Sequence, residues 1–168
     1  HVRSRRQRQM CIRDRVQGLD PSGRGDRQRP ACHGEARRFC GTLGRDVPTA
    51  VVPAPSSLAL GRRALVELLE KDPGLQAVCC SSDTLAQGVM VEALARGMRV
   101  PQDLAICGFG DAEFAAHTVP SISTVHVDGP GIGRLAAQII VSRSRGEQVA
   151  QTVHDLGFRL IERQSTGG

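Results

Sequence analysis

The chain has 168 residues, enough for one sizeable core, or for one domain and a tail. It contains no apolar run of about 18 residues, so no membrane span is indicated, and its basic start leads into no apolar stretch of the secretory-signal kind. The net charge of +5 points to nucleic acid only until it is divided: residues 1–46 hold 12 Arg against 5 acidic residues, whereas residues 47–168 hold 10 Lys or Arg against 12 acidic residues. The folded part is therefore mildly acidic and offers phosphates no basic stripe.

Residues 1–46 do not share the patterning of the rest. HVRSRRQRQMCIRDR shows neither strand nor helix period, and the following stretch is rich in Gly, Pro, Arg and Asp, a composition that resists core formation. Three readings compete: a basic disordered arm, a solvated linker, or a segment that is not natural protein. Met10–Arg15 resembles the translation of a sequencing adapter, and the text around it resembles a shifted frame of GC-rich DNA. The third reading is adopted, and residues 1 to about 46 are set aside as a disordered or artefactual segment. The domain is expected over 47–168.

From Val47 the pattern is regular. Ala50–Pro53 reads as a short strand between prolines. Ser56 or Ser57 caps a helix whose apolar face includes Leu58, Leu65, Leu68 and Leu69 and which ends near Asp72-Pro73-Gly74. Leu75–Cys80 is an apolar strand, and Ser81, Ser82 and Asp83 offer oxygens to the N–H groups of the next helix. Gly97 suits its C-terminal stop and Pro101 bars continuation. Leu104–Cys107 is a further strand, closed by Gly108 and Gly110. A short helical segment at Ala112–Ala116 precedes a β-rich run, Ile122–Val127. Asp128 caps a helix over Gly129–Ser144, with Pro130 in its first turn and Gly146 beyond its end. Val153–Arg163 reads as one or two final strands with Gly157 as bulge or turn. Alternating strands and helices at this spacing predict an α/β fold with an open parallel sheet. Ligands of such sheets sit at the carboxyl ends of the strands, which here carry Ser82-Asp83 and Gly110-Asp111.

Assembled chemistry is absent from that edge. Gly129-Pro130-Gly131-Ile132-Gly133 is a poor dinucleotide loop, because proline stands where backbone should approach a pyrophosphate. Asp83 and Asp111 form a conceivable carboxylate pair, but no nucleophile or metal cluster accompanies them. Ser81 and Ser82 lack a nucleophile-elbow context. His117 and His126 are isolated. The six cysteines, at 11, 32, 40, 79, 80 and 107, show no CxxC spacing, and Cys32-His33 with Cys40 forms no zinc pattern. Cys79 and Cys107 fall in strands expected to be buried, where cysteine is a small hydrophobe. A reducing cytoplasm, no metal, no cofactor and no enzymatic activity are the resulting expectations.

Two stretches resemble the C-terminal half of LacI-family transcriptional regulators. The family pattern A-N-D-x-x-A-x-G is matched by Ser81-Ser82-Asp83, Ala86 and Gly88. The pattern G-x-x-V-P-x-D-[IL] is matched by Gly97 through Leu104, and G-[FY]-D-D by Gly108-Phe109-Gly110-Asp111. The pattern P-x-[LI]-T-T-[VI] is matched by Pro120 through Val125. The G-F-G-D variant and the ending D-L-G-F-R-L-I-E-R-Q-S-T are similar to the gluconate-type regulators. The resemblance covers about residues 47–166.

It implies a periplasmic-binding-protein-like fold, represented mainly by the C-terminal subdomain, around a small-molecule cleft. The family's DNA-reading helix-turn-helix is missing from this chain, so operator DNA is expected only through a further N-terminal domain. Effector contacts carry over to Ser82 (usually Asn), to Gly110 (often Asp), and to His126 and Asp128 at the end of the next strand, with Asp83 and Asp111 beside them. Serine lacks the amide's paired donor and acceptor. Gly110 removes a carboxylate suited to sugar hydroxyls, which favours an anionic effector: a sugar acid or sugar phosphate rather than a neutral sugar. The resemblance also implies a homodimer, with Leu85, Val89, Ala115, His117, Val119 and Pro120 at its surface, and no membrane partner. The competing reading is a periplasmic sugar-binding protein of a transport system, which shares the fold.

Overall fold

The computed structural model describes residues 9–15 by their backbone, and residues 48–147 and 154–168. Six strands form one sheet in the order β2-β1-β3-β4-β5-β6, where β1 is Gln9–Arg15, β2 Thr49–Pro53, β3 Ala77–Cys80, β4 Ala105–Phe109, β5 Ser123–His126 and β6 Arg159–Ile161. The first five run parallel, while β6 pairs antiparallel with β5, His126 standing opposite Arg159. The sheet is thus mixed rather than purely parallel. An edge strand that returns beside its neighbour needs no crossover on the covered face and so escapes the parallel rule.

The second difference lies in the segment set aside above. Gln9–Arg15 fills the slot between β2 and β3. Any chain in that slot satisfies the backbone donors and acceptors of two neighbours, whatever its side-chain pattern. The rest of residues 1–46, including Cys32, His33 and Cys40, lies outside the described residues. So does part of the expected Val153–Arg163 strand, of which the structure forms only Arg159–Ile161.

Among the described residues, three α-helices connect the strands: α1 (Leu58–Lys71), α2 (Asp83–Ala95) and α3 (Gly129–Ser144). Each begins on a side-chain cap. Ser57 accepts from the Leu60 N–H, Ser82 from Leu85 and Asp128 from Gly131. Gly97 and Gly146 take left-handed φ of 74° and 75° after α2 and α3. Their N–H groups and those of the following residues close back on the last turns, the Schellman arrangement that glycine permits without a Cβ clash.

The core lies between the sheet and α1 and α2. Ala50, Val52, Val78, Cys80 and Ile106 of the strands meet Ala64, Leu65 and Leu68 of α1 and Leu85, Ala86, Val89, Met90 and Ala93 of α2. Each fully buried leucine here contributes about 1.5–3 kcal/mol by leaving water. Leu85, Val89 and Ala115, expected at a subunit surface, are fully buried inside the chain's own core. Helical spacing sets α2's broad apolar stripe against both sheet and α1, so Leu85 and Val89 are spent inward, while Ala115 is buried from the short helical turn Glu113–Ala116. Cysteine burial also differs: Cys80 is buried while Cys79 and Cys107 are half-buried. The two-residue period of a strand sends Cys80 toward the helices and Cys79 to the opposite face.

The two helices meet through glycine. A Cβ on Gly61 would lie 2.3 Å from the Leu85 carbonyl oxygen, and one on Gly88 would lie 2.3 Å from that of Leu58. Backbone meets backbone at this crossing. Helix α3 differs from both, since none of its residues is buried. Ile132, Ile140 and Val141 are exposed on it.

Candidate functional site

The carboxyl ends of β3, β4 and β5 open onto one edge of the sheet. At β3, the Ser82 hydroxyl caps α2 and also meets the Ser56 hydroxyl at 3.2 Å, just before α1 begins. The starts of both helices therefore converge at this edge. Spare N–H groups and the positive ends of two helix dipoles favour an anion there.

Asp83, expected as a ligand contact, is only 2% exposed. Its Oδ2 accepts from the Ala112 N–H at 2.6 Å, and its Oδ1 accepts from the Thr124 hydroxyl at 2.6 Å. It sits so close to β4 that a Cβ at Gly108 would lie 2.1 Å from its Oδ1. Both oxygens are used by the chain itself. Asp83 pins α2 to β4, to β5 and to the turn that follows β4. Burial and the negative Asp83 together push the neighbouring Cys107 thiol up to about 11. A thiol held protonated is a poor nucleophile.

Asp111 follows Gly110, and both have positive φ, 55° and 118°. Its Oδ1 accepts from Arg163 Nη2 at 2.7 Å, and its Oδ2 lies 2.9 Å from His126 Nδ1. The Arg163 guanidinium, and after it His126, hold the Asp111 carboxyl below the usual carboxylate range, against the opposing effect of desolvation. A lowered folded-state pKa stabilises the fold above the unfolded value of about 3.9 and loses that contribution as pH falls through the lowered one. An NMR titration of the Asp111 carboxyl should therefore show a midpoint below that of an unfolded-chain aspartate. A midpoint at or above it would contradict the Arg163 contact.

The remaining expected site residues divide clearly. Gly110 and His126 stay at the open edge, His126 half-buried and with its Nδ1 occupied by Asp111. Asp128 is exposed and caps α3 through Gly131, with Arg134 at 3.9 Å. Of the expected dimer surface, His117 is exposed and Val119 is 86% exposed, with Pro120 beside it half-buried. Sequence reading missed Thr124, Arg163 and Ser56. Thr124 stands within the quoted P-x-[LI]-T-T-[VI] pattern, and its position two residues before His126 places both on one face of β5. Arg163 stands within the quoted ending D-L-G-F-R-L-I-E-R-Q-S-T, but nothing local gave its role, because its partner lies 52 residues away.

Among the described residues, no group of three or more His, Cys, Asp and Glu side chains is placed to hold a metal ion. No helix among them is long and apolar enough to cross a membrane.

An open α/β sheet with helices converging on its carboxyl edge, and with a chain that leaves and re-enters at its last two strands, defines a periplasmic-binding-protein-like domain. The chain belongs to that family, matching the periplasmic binding protein-like domain over residues 10–166. Its relatives are transcriptional regulators of the LacI family. It is 40% identical over 116 residues to the HTH-type transcriptional regulator GntR of Pseudomonas aeruginosa, an alignment covering 69% of this chain and 34% of the relative. The crystal structure of the transcription regulator GntR from Chromobacterium violaceum superposes with a TM-score of 0.76 at 30% identity, covering 96% of this chain and 57% of that one. The regulator CelR, in a complex with cellobiose, superposes with a TM-score of 0.75 at 26% identity, covering 95% and 46%. The chain thus spans about a third of the curated relative's length.

Proposed function

We propose that this chain is the effector-binding and dimerisation part of a cytoplasmic LacI-type transcriptional regulator, and not an enzyme. The observation that carries this reading is the carboxyl edge of the sheet, where Ser56 meets Ser82 and where Gly110 and His126 stand at the ends of β4 and β5, in a domain whose relatives are transcriptional regulators. The domain takes in residues 47–168 together with Gln9–Arg15, which supplies strand β1 between β2 and β3, and operator DNA is reached through a DNA-reading domain outside this chain.

The effector is a small sugar acid of the gluconate type. Two helix starts favour a negative group at this edge, and Gly110 supplies no carboxylate to repel it. Asp83 and Asp111 have their oxygens engaged by the chain's own donors, so neither presents a bare charge against an anion. Binding shifts the population between two arrangements of a dimer and changes how it presents its DNA-reading helices. The dimer surface is formed by exposed neighbours of the buried residues, Val91 and Leu94 on α2 with His117 and Val119, and by the half-buried Pro120.

The coding sequence upstream of this chain discriminates the two sugar-binding classes. A helix-turn-helix there is the expected result. A secretory signal leading directly into this domain would instead establish the solute-binding protein of a transporter.

A further inference from the structure

We infer that Asp111 is a positioning residue: with Arg163 and His126 it forms a clamp on the two chain passages from which α3 hangs. The chain leaves the sheet after β5 at His126 and returns through β6 at Arg159–Ile161. Strand β6 is three residues long, with Arg159 and Leu160 exposed, and it pairs only with β5. So short an edge strand buries too little apolar surface to hold itself in place. Helix α3 buries no residue fully; only Leu135 and Ile139 of its apolar residues are half-buried, so it adds little packing to the passages.

Polar contacts take over that task. Arg163, two residues beyond β6, donates from Nη1 to the Ile122 carbonyl at 2.9 Å and from Nη2 to Asp111 at 2.7 Å. Its backbone N–H donates to the Ser123 hydroxyl at 2.8 Å. On the outgoing passage, Asp111 Oδ2 holds His126. Asp111 is itself fixed, because its N–H donates to Thr124 Oγ1 at 3.3 Å and its backbone occupies the left-handed region. The Arg163 and Asp111 side chains are only 18% and 22% exposed, so solvent screens their charge-assisted bond incompletely.

One carboxylate therefore grips the departing and the returning passage, and it directly follows Gly110 at the open edge. A ligand resting on Gly110 is one residue from the clamp and one resting on His126 touches a member of it, and the clamp sets where α3 stands. This last step rests on the effector reading; the clamp itself does not.

Amide hydrogen exchange on the 168-residue chain tests it, with Asp111→Asn, Arg163→Met and the double variant. Each single change should speed exchange at residues 124–126 and 159–163 about tenfold, as loss of one charge-assisted bond does, while β3 and β4 hold their protection. The double variant should exchange more slowly than the product of the two single effects, since both changes remove the Asp111–Arg163 bond while the Ile122 and His126 contacts are each lost in one of them only. Arg163→Lys, which keeps the charge but loses the two-pronged grip, should fall between wild type and Arg163→Met, and it serves if the larger changes prevent folding. Unchanged exchange at 159–163, equal acceleration in every strand, or multiplying effects in the double variant would overturn the clamp. No effector enters the measurement, so loss of the effector reading leaves its result standing, and the reverse holds too.

Discussion

Asp83→Ala will lower the stability of the chain by about 3 kcal/mol, because it strands a buried and a half-buried donor at once. The half-buried Ala112 N–H and the fully buried Thr124 hydroxyl both lose their acceptor. The carboxylate also sits in the first turn of α2, where a negative charge is favoured. Asp83→Asn should cost less, about 1 kcal/mol, because the amide oxygen still accepts from Ala112 while the Thr124 hydroxyl can turn to accept from the amide nitrogen. Urea unfolding measures both. Stability unchanged in Asp83→Ala, with effector binding alone lost, would restore Asp83 as a ligand contact.

The second large effect is expected at the crossing of α1 and α2. By helix propensity alone, Gly88→Ala should stabilise α2 by about 1 kcal/mol. The added methyl, however, would stand 2.3 Å from the Leu58 carbonyl oxygen, and the obstacle is backbone rather than a side chain that can swing away. The helices must separate, opening gaps around Leu65 and Leu85. A net loss of about 2–3 kcal/mol is expected, the upper part of the overpacking range. Gly61→Ala should behave alike. The double variant should cost less than the sum of the two, since one separation relieves both clashes. Denaturant midpoints decide the sign: a gain in stability at either glycine would mean that the helices do not touch there.

Local features of the fold were legible in the sequence because their causes are local. Ser57, Ser82 and Asp128 announce helix starts through side-chain oxygens one residue before the helix, and Gly97 and Gly146 announce the ends. The short apolar runs gave β3, β4 and β5 within a residue or two. Residues whose role is set by distant partners were not legible. Asp83 looks like a site carboxylate until its partners, 29 and 41 residues further on, come into contact with it. Arg163 lies in the quoted C-terminal ending, but its role exists only because β6 returns beside β5. That antiparallel return is equally silent, since three residues carry no period from which a direction could be inferred. Leu85 and Val89 match a surface motif by position, but only the packing of α2 against both α1 and the sheet shows them to be core.

The central claim is that the carboxyl edge of β3, β4 and β5 takes a sugar acid while Asp83 and Asp111 serve the fold. Backbone amide shifts of the chain, titrated with gluconate and in parallel with glucose, test it most directly. Saturable shifts at Ser82, Gly110 and His126 with gluconate, and none with glucose, are the predicted result. Glucose shifting those amides while gluconate leaves them unmoved, or gluconate shifts confined to other faces of the chain, would contradict it.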